Sequence, residues 1–352
     1  MKASTIASCF AALANAAAVN RRGQSPLAVE IEQVGNSEIK ASITNTGDAT
    51  LRVLKAGSIL DSSPVEKVKV AQDAKAVPFT GIRVYVHTKD LQDAAFQTIR
   101  ANETIEVQWD TAQFHDLSAG GNFSISTQGS LRYAGEGSNQ IAGQVIYSSN
   151  VIEAKVDGVQ AASVHNAFHE SLNAKRIVVQ SDCTSSQQTT VDAALGVAKT
   201  YAEEAEAAAN AGTNLEEYFK STASSTISTV VGVFNKIATV VVNSSSSGSA
   251  KLYCTDVGDF CTDGVVAYTQ PGTDEYIVLC PYWFQFPATN DICHDADQPY
   301  VIIHESTHLV AVKGTDDICY GYDGCVTDLD TADELNNADT YALYANSIYA
   351  DC

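Results

Sequence analysis

The stretch VIIHESTHLVAVKGTDDICYGYDG, Val301 to Gly324, gathers most of the side chains able to do chemistry in this 352-residue chain. His304 and His308 stand four residues apart, with Glu305 directly after the first. On a helix, positions i and i+4 share a face, so both imidazoles can grip one metal ion. Glu305 then projects beside the ion, where it can hold and deprotonate an attacking water. Zinc suits this donor set and brings the pKa of a bound water to about 7. The bland alternative is a polar helix face with the glutamate in solvent. The apolar flanks, Val301-Ile302-Ile303 and Leu309-Val310, favour a buried, dry site instead.

A catalytic zinc needs a third protein ligand and one open position. A third histidine six residues beyond His308 would fall at Gly314, so that arrangement fails. A glutamate on a later helix, followed four residues on by aspartate, is another solution. Glu334 is a candidate, but position 338 is alanine and the aspartate falls at Asp339. The segment GTDDICYG remains. Gly314 can end the helix and reverse the chain. Asp317, nine residues after His308, is within reach of the same metal. Tyr320 is placed to donate a hydrogen bond toward a developing oxyanion.

These residues need elements to hold them, and the chain is long enough for roughly two domains of about 100–200 residues each. At 45% hydrophobic and 18% charged it is ordinary globular material. MKASTIASCFAALANAAAVN has an early lysine, a short apolar run and small residues, the pattern of a signal peptide over residues 1–19. Residues 24–160 alternate apolar and polar between turn signals. LAVEIEQV, EIKASITN, TLRVLKAG, GIRVYVHT and ETIEVQWD read as strands of an all-β, sandwich-like domain. The character changes near 161–176, and Lys175-Arg176 reads as a processing site between a pro-region, 20–176, and a mature part, 177–352.

The second half reads as mainly α with a small sheet. TTVDAALGVAKTYAEEAEAAANAG is a helix ending at Gly212, and STISTVVGVFNKIATVVV is a helix weakened by β-branched residues. YIVLC is the best strand. TADELNNADTYALYANSIYA reads as one final helix, with Thr331 as N-cap and Glu334 completing a capping box.

Charge and cysteine divide at the same boundary. Residues 1–176 hold 16 basic and 17 acidic side chains; residues 177–352 hold 5 and 25. So acidic a domain repels nucleic acid and attracts cationic partners. Eight cysteines follow residue 176, namely Cys183, Cys254, Cys261, Cys280, Cys293, Cys319, Cys325 and Cys352. In a chain routed for secretion they read as four disulfides. No apolar run after the N-terminus is long enough to span a membrane. Asn102, Asn122 and Asn243 lie in N-x-S/T sequons and are candidate glycan sites. His165 and His169 repeat the i, i+4 spacing, but Asn166 replaces the glutamate, so they read as structural.

H-E-x-x-H followed by G-T-x-D-x-x-Y-G resembles the aspzincin metallopeptidases, and most of all the deuterolysin family. The likeness extends to the signal, the cysteine-free pro-region, the dibasic junction and NNADTYALYA near the end. It implies a zincin-like catalytic domain holding one Zn2+ on His304, His308 and Asp317, with Asp339 as the fallback third ligand and Asp316 as the weakest candidate. It further implies Glu305 as general base and Tyr320 as transition-state stabiliser. Asp339 would be an active-site carboxylate, behind the metal or in the substrate pocket. The resemblance pairs Cys183 with Cys254, Cys261 with Cys280 and Cys293 with Cys352, leaving Cys319 and Cys325 to each other. The expected protein is a secreted, monomeric extracellular endopeptidase, made as a zymogen. Its own pro-region acts as inhibitor or folding aid, and basic proteins or peptides are its favoured substrates. Ala342 follows Asp339 on the last helix, which argues against strict lysine specificity. The alternative is a secreted non-enzymatic protein, zinc-binding or disulfide-rich.

Overall fold

The computed structural model describes residues 25–89, 91–135, 137–177, 183–241, 251–262, 264–272 and 275–352. The expected signal peptide and the Asn243 sequon lie outside them. Among these described residues, twelve strands come first: β1 (Leu27–Gln33), β2 (Glu38–Asn45), β3 (Leu51–Leu54), β4 (Lys69–Gln72), β5 (Lys75–Ala76), β6 (Arg83–Val86), β7 (Phe96–Ile99), β8 (Thr104–Asp110), β9 (Gly121–Ser126), β10 (Gln128–Ala134), β11 (Ile141–Ser148) and β12 (Ile152–Val156). Then come α1 (Gly158–Ile177), α2 (Ser185–Ala211), α3 (Leu215–Phe219), α4 (Ser224–Lys236), β13 (Lys251–Tyr253), β14 (Val265–Gln270), β15 (Tyr276–Leu279), α5 (Gln298–His308), α6 (Tyr322–Asp328), α7 (Thr331–Glu334) and α8 (Ala338–Tyr349).

The N-terminal region is β-rich, as its alternating pattern dictates. β1 buries Leu27, Val29 and Ile31 and exposes the residues between, so one strand face feeds the core. Three sheets, ordered β1-β2-β8, β11-β10-β3-β7 and β12-β9-β4-β5, contribute to one core that includes Ile39, Val53, Val70, Trp109, Phe123 and Leu131.

GIRVYVHT forms a strand, as expected, but its place differs from the expected sandwich. Its strand, β6, joins no N-terminal sheet. It pairs antiparallel with β14, giving a C-terminal sheet ordered β13-β15-β14-β6. Alternation marks a strand and its two faces but says nothing of its partner, so this exchange was invisible. Val84 and Val86 join Val265, Tyr268, Tyr276 and Val278 in a core shared by both regions.

The C-terminal region is helical around that sheet. α2 starts on a capping box of Thr184 and Gln187 and stops at Gly212, whose φ of 79° suits glycine. Its buried stripe (Val191, Ala194, Leu195, Ala198, Tyr201, Ala202, Ala205, Ala209) follows the helical period. α5 is buried along its whole length. Asp297 caps it by accepting from the Tyr300 amide, and Tyr201 donates to the second Asp297 oxygen at 2.6 Å.

The single final helix expected from residue 331 onward is two helices. Asp330, not Thr331, caps α7, accepting from the Ala332 and Asp333 amides. The break falls at Asn336-Asn337, whose backbone pairs with Asp316 instead of continuing the helix. Asp316 N–H donates to Asn336 O and Ala338 N–H to Asp316 O, at 2.8 and 3.0 Å. No described helix is long and apolar enough to cross a membrane.

Candidate metal centre

α5 presents both histidines on one face, and the reversal after it returns Asp317 to them. Gly314, at φ 70°, makes that reversal, and its amide donates to Thr307 O and Leu309 O. His304 Nε2 lies 3.2 Å from His308 Nε2. Asp317 Oδ1 lies 3.1 Å from the first and 3.3 Å from the second. Zinc bonds of about 2.0–2.2 Å meeting at a tetrahedral angle put their outer atoms roughly 3.3–3.6 Å apart. The observed edges of 3.1–3.3 Å reach the lower end of that range or fall just short of it, so small outward shifts would seat the ion. Among the described residues, no other group of three or more His, Cys, Asp or Glu side chains comes together in this way.

The surrounding bonds leave the Nε2 atoms available. His304 Nδ1 faces Asp339 Oδ1 at 3.2 Å, and His308 Nδ1 faces Thr315 O at 3.0 Å. With protons on both Nδ1 atoms, both Nε2 lone pairs point toward Asp317. Asp317 Oδ1 is buried without a hydrogen bond among the described residues, as is Glu305 Oε1. Two such orphaned carboxylate oxygens beside two imidazole lone pairs suit a cation with its water.

Asp339 stands behind the metal position. Its Oδ1 also accepts from the Tyr300 hydroxyl at 2.7 Å, and its Oδ2 from the Gly321 amide at 2.6 Å. Gly321 sits at φ 77°, ψ 152°, a region essentially reserved for glycine, so Asp339 steadies a loop that only glycine can form. Glu305 Oε2 accepts from Thr269 Oγ1 at 2.6 Å. Burial pushes the Glu305 carboxyl up from its usual range, and the two imidazoles pull partly the other way. Burial and nearby carboxylates hold the Tyr320 hydroxyl protonated, as a donor must be. That hydroxyl donates to the backbone carbonyl of Val84 in β6 at 3.0 Å. The Tyr85 ring meets the His304 ring edge-on, centroids 4.8 Å apart.

The family model described as "Deuterolysin metalloprotease (M35) family" matches residues 1–352. The chain belongs to the deuterolysin family. It is a metalloendopeptidase, and the family implies a zinc cofactor. It is 44% identical over 358 aligned positions to the "Neutral protease 2 homolog" of Colletotrichum graminicola, covering 100% of each chain. It is 43% identical to that of Pyricularia oryzae, covering 99% of this chain and 98% of the other. Among solved structures, the "Zinc peptidase from Grifola frondosa" is 26% identical, with a TM-score of 0.40, covering 47% of this chain and 97% of that one.

Within this deuterolysin chain, three cysteine pairs form: Cys183–Cys254, Cys261–Cys280 and Cys293–Cys352. The fourth does not. Cys319 and Cys325 are buried free thiols. The two thiols lie beside each other, and each has a further partner. Gln144 Nε2 donates to Cys319 Sγ at 3.4 Å, and Asn337 Nδ2 to Cys325 Sγ at 3.5 Å.

Asp316 takes no part in the ligand triangle; it pairs with Arg83 and Lys69 of the N-terminal region. Glu334 is also away from it, accepting from Thr340. His165 and His169 bond to Ala112 O and Thr80 Oγ1, as structural residues do. Lys175 and Arg176 fall at the end of α1. Asn102 and Asn122 are exposed.

Sequence reasoning missed Thr269, Tyr300, Thr315 and Asn337. Asn337 Oδ1 accepts from the Ile318 and Cys319 amides, fixing the loop that carries Asp317 and Tyr320. An Asn-Asn pair inside a helical pattern was the one available signal.

Proposed function

We propose that this chain is the zymogen of a secreted zinc endopeptidase. In this reading residues 1–19 are the signal, 20–176 a sandwich-like pro-domain, and 177–352 a zincin-like catalytic domain released by cleavage after Lys175-Arg176. The single observation that carries the reading is the ligand triangle: two Nε2 atoms and Asp317 Oδ1 at 3.1–3.3 Å, with both Nδ1 atoms engaged elsewhere. His304, His308 and Asp317 would hold one zinc ion per chain. Zinc, when bound, polarises the scissile carbonyl and makes water acidic enough to be deprotonated near neutrality.

The chain's own residues do the rest. Glu305 takes a proton from the attacking water through its free Oε1 and returns it to the leaving amine. Thr269 holds the other carboxylate oxygen in place. Tyr320 donates to the oxyanion, and Asp339 orients His304. The pro-domain acts as an intramolecular inhibitor, a role supported by β6 lying against His304 and Tyr320. The acidity of the catalytic domain supports a preference for basic substrates. One experiment tests the core of this reading. After cutting at Arg176, Glu305→Gln should lose nearly all casein hydrolysis while retaining zinc by metal analysis. Full proteolysis by that variant would refute the assignment.

A further inference from the structure

β6 has the features of a bound peptide. Without it, β14 is the edge strand of a sheet made of β13, β15 and β14. An extended peptide added to such an edge gains affinity from main-chain bonds and selectivity from alternate side chains. β6 runs antiparallel to β14, with Thr269 opposite Arg83, Tyr268 opposite Val84 and Ala267 opposite Tyr85. Val84 and Val86 enter the shared core. Arg83 and Tyr85, on the alternate positions, reach the side where the metal ligands stand. Tyr85 meets His304, and between these two side chains the Val84 carbonyl accepts from Tyr320.

The Arg83 guanidinium meets Asp316 Oδ1 at 2.5 Å and Glu66 Oε2 at 2.6 Å. Asp316 Oδ2 accepts from Lys69 Nζ at 2.6 Å and from Asn336 Nδ2 at 3.0 Å. Arg83, Lys69 and Glu66 all precede residue 177; only Asn336 belongs to the C-terminal region. The backbone pairing of Asp316 with Asn336 and Ala338 lies wholly within that region. Departure of the pro-region therefore strips this carboxylate of both cations and leaves its mounting intact.

We propose that β6 lies as a substrate strand lies, with the Val84 carbonyl in the place of the scissile carbonyl. We further propose that Asp316 selects a cationic side chain on the residue just before the one whose carbonyl is attacked. The proposal rests on the peptidase reading above. A cation at that position restores the charge-assisted bond that Arg83 makes in the precursor; a neutral side chain leaves a half-buried carboxylate without it.

The binding test uses the full-length chain with Glu305→Gln in both proteins, folded with zinc and cut after Arg176. It is then separated from the freed fragment, which carries β6 and would compete for the site. The kinetic test uses the same preparation with Glu305 intact. A fluorescein-labelled peptide of residues 80–88, native or carrying Arg83→Ala, is titrated by fluorescence anisotropy against wild-type and Asp316→Asn protein. Asparagine keeps the shape of the side chain and the backbone pairing. Arg83→Ala should weaken binding about tenfold on wild type, and less than about threefold on Asp316→Asn. Equal losses on both proteins, or no binding of the native peptide, would overturn the proposal. In parallel, two quenched peptides differing only in Arg or Gln at the selected position are compared. Wild type should favour Arg in kcat/KM by about tenfold, and the ratio should fall toward one in Asp316→Asn. An unchanged ratio overturns the specificity assignment. If wild type cuts neither peptide, the peptidase reading fails, while the anisotropy comparison still decides what Asp316 binds.

Discussion

Asp339 Oδ1 lies 3.2 Å from His304 Nδ1, on the far side of the imidazole from Asp317. The two aspartates thus hold opposite nitrogens of one ring, and only one of them faces the ligand triangle. Their removal should have different consequences. On the proposed ligand set, Asp317→Ala deletes a ligand and should abolish tight zinc binding. Asp339→Ala leaves three ligand atoms but frees the ring, and should weaken zinc about 10–100-fold. Competition against a chromophoric chelator measures both. A larger loss for Asp339→Ala than for Asp317→Ala would exchange their roles.

Tyr320 should matter to turnover and not to metal. Its hydroxyl already donates to a peptide carbonyl, that of Val84, and its ring lies roughly parallel to His304, centroids 6.0 Å apart. Arg132 from the N-terminal region covers the ring at 4.2 Å from its centroid. Tyr320→Phe keeps the ring and deletes the donor. In the cut enzyme kcat should fall about 10²–10³-fold, the cost of one oxyanion donor, with zinc content and KM little changed. A kcat within a few-fold of wild type would place the oxyanion donor elsewhere.

What could be seen beforehand followed from how local each feature is. His304, Glu305, His308 and Asp317 occupy one short stretch joined by a glycine turn, so spacing put Asp317 within reach of the histidines, and the family resemblance preferred it to Asp339. Asp339 arrives on another helix, and spacing could not say which side of His304 it would take. β6 reads like any strand; its partner β14 lies some 180 positions away, and no periodicity encodes that pairing. The break at Asn336-Asn337 was hidden because capping and backbone pairing to Asp316 overrode a continuous helical pattern. The Cys319–Cys325 expectation came from elimination; the two thiols do lie beside each other, and elimination cannot say whether neighbouring thiols are joined.

The free thiols are countable. In a chain lacking residues 1–19, a thiol reagent should find two groups per chain after guanidinium unfolding without reductant. Before unfolding, both should react slowly, because Cys319 and Cys325 are buried. Gln144 bonds to Cys319, and Gly324 also sits against Gln144, so the N-terminal region forms part of the cover. Cutting after Arg176 and releasing the fragment should therefore speed modification of Cys319. No thiols after unfolding would restore the fourth disulfide.

Glu334 should make stability depend on pH. Burial pushes its carboxyl up to about 7 from its ordinary 4.5, against the opposing pull of the Thr340 hydroxyl and of Lys220, 3.7 Å away. Between those values the folded chain keeps a proton that the unfolded chain has shed. The contribution is therefore fully present below pH 4.5 and is lost as pH rises through about 7. A displacement of this size corresponds to about 3 kcal/mol. Glu334→Gln keeps an acceptor for Thr340 without the charge. It should raise the melting temperature relative to wild type at pH 8 and have little effect at pH 4.5. Differential scanning calorimetry at the two values reads the difference directly, and an equal shift at both would show that Glu334 is not the titrating group.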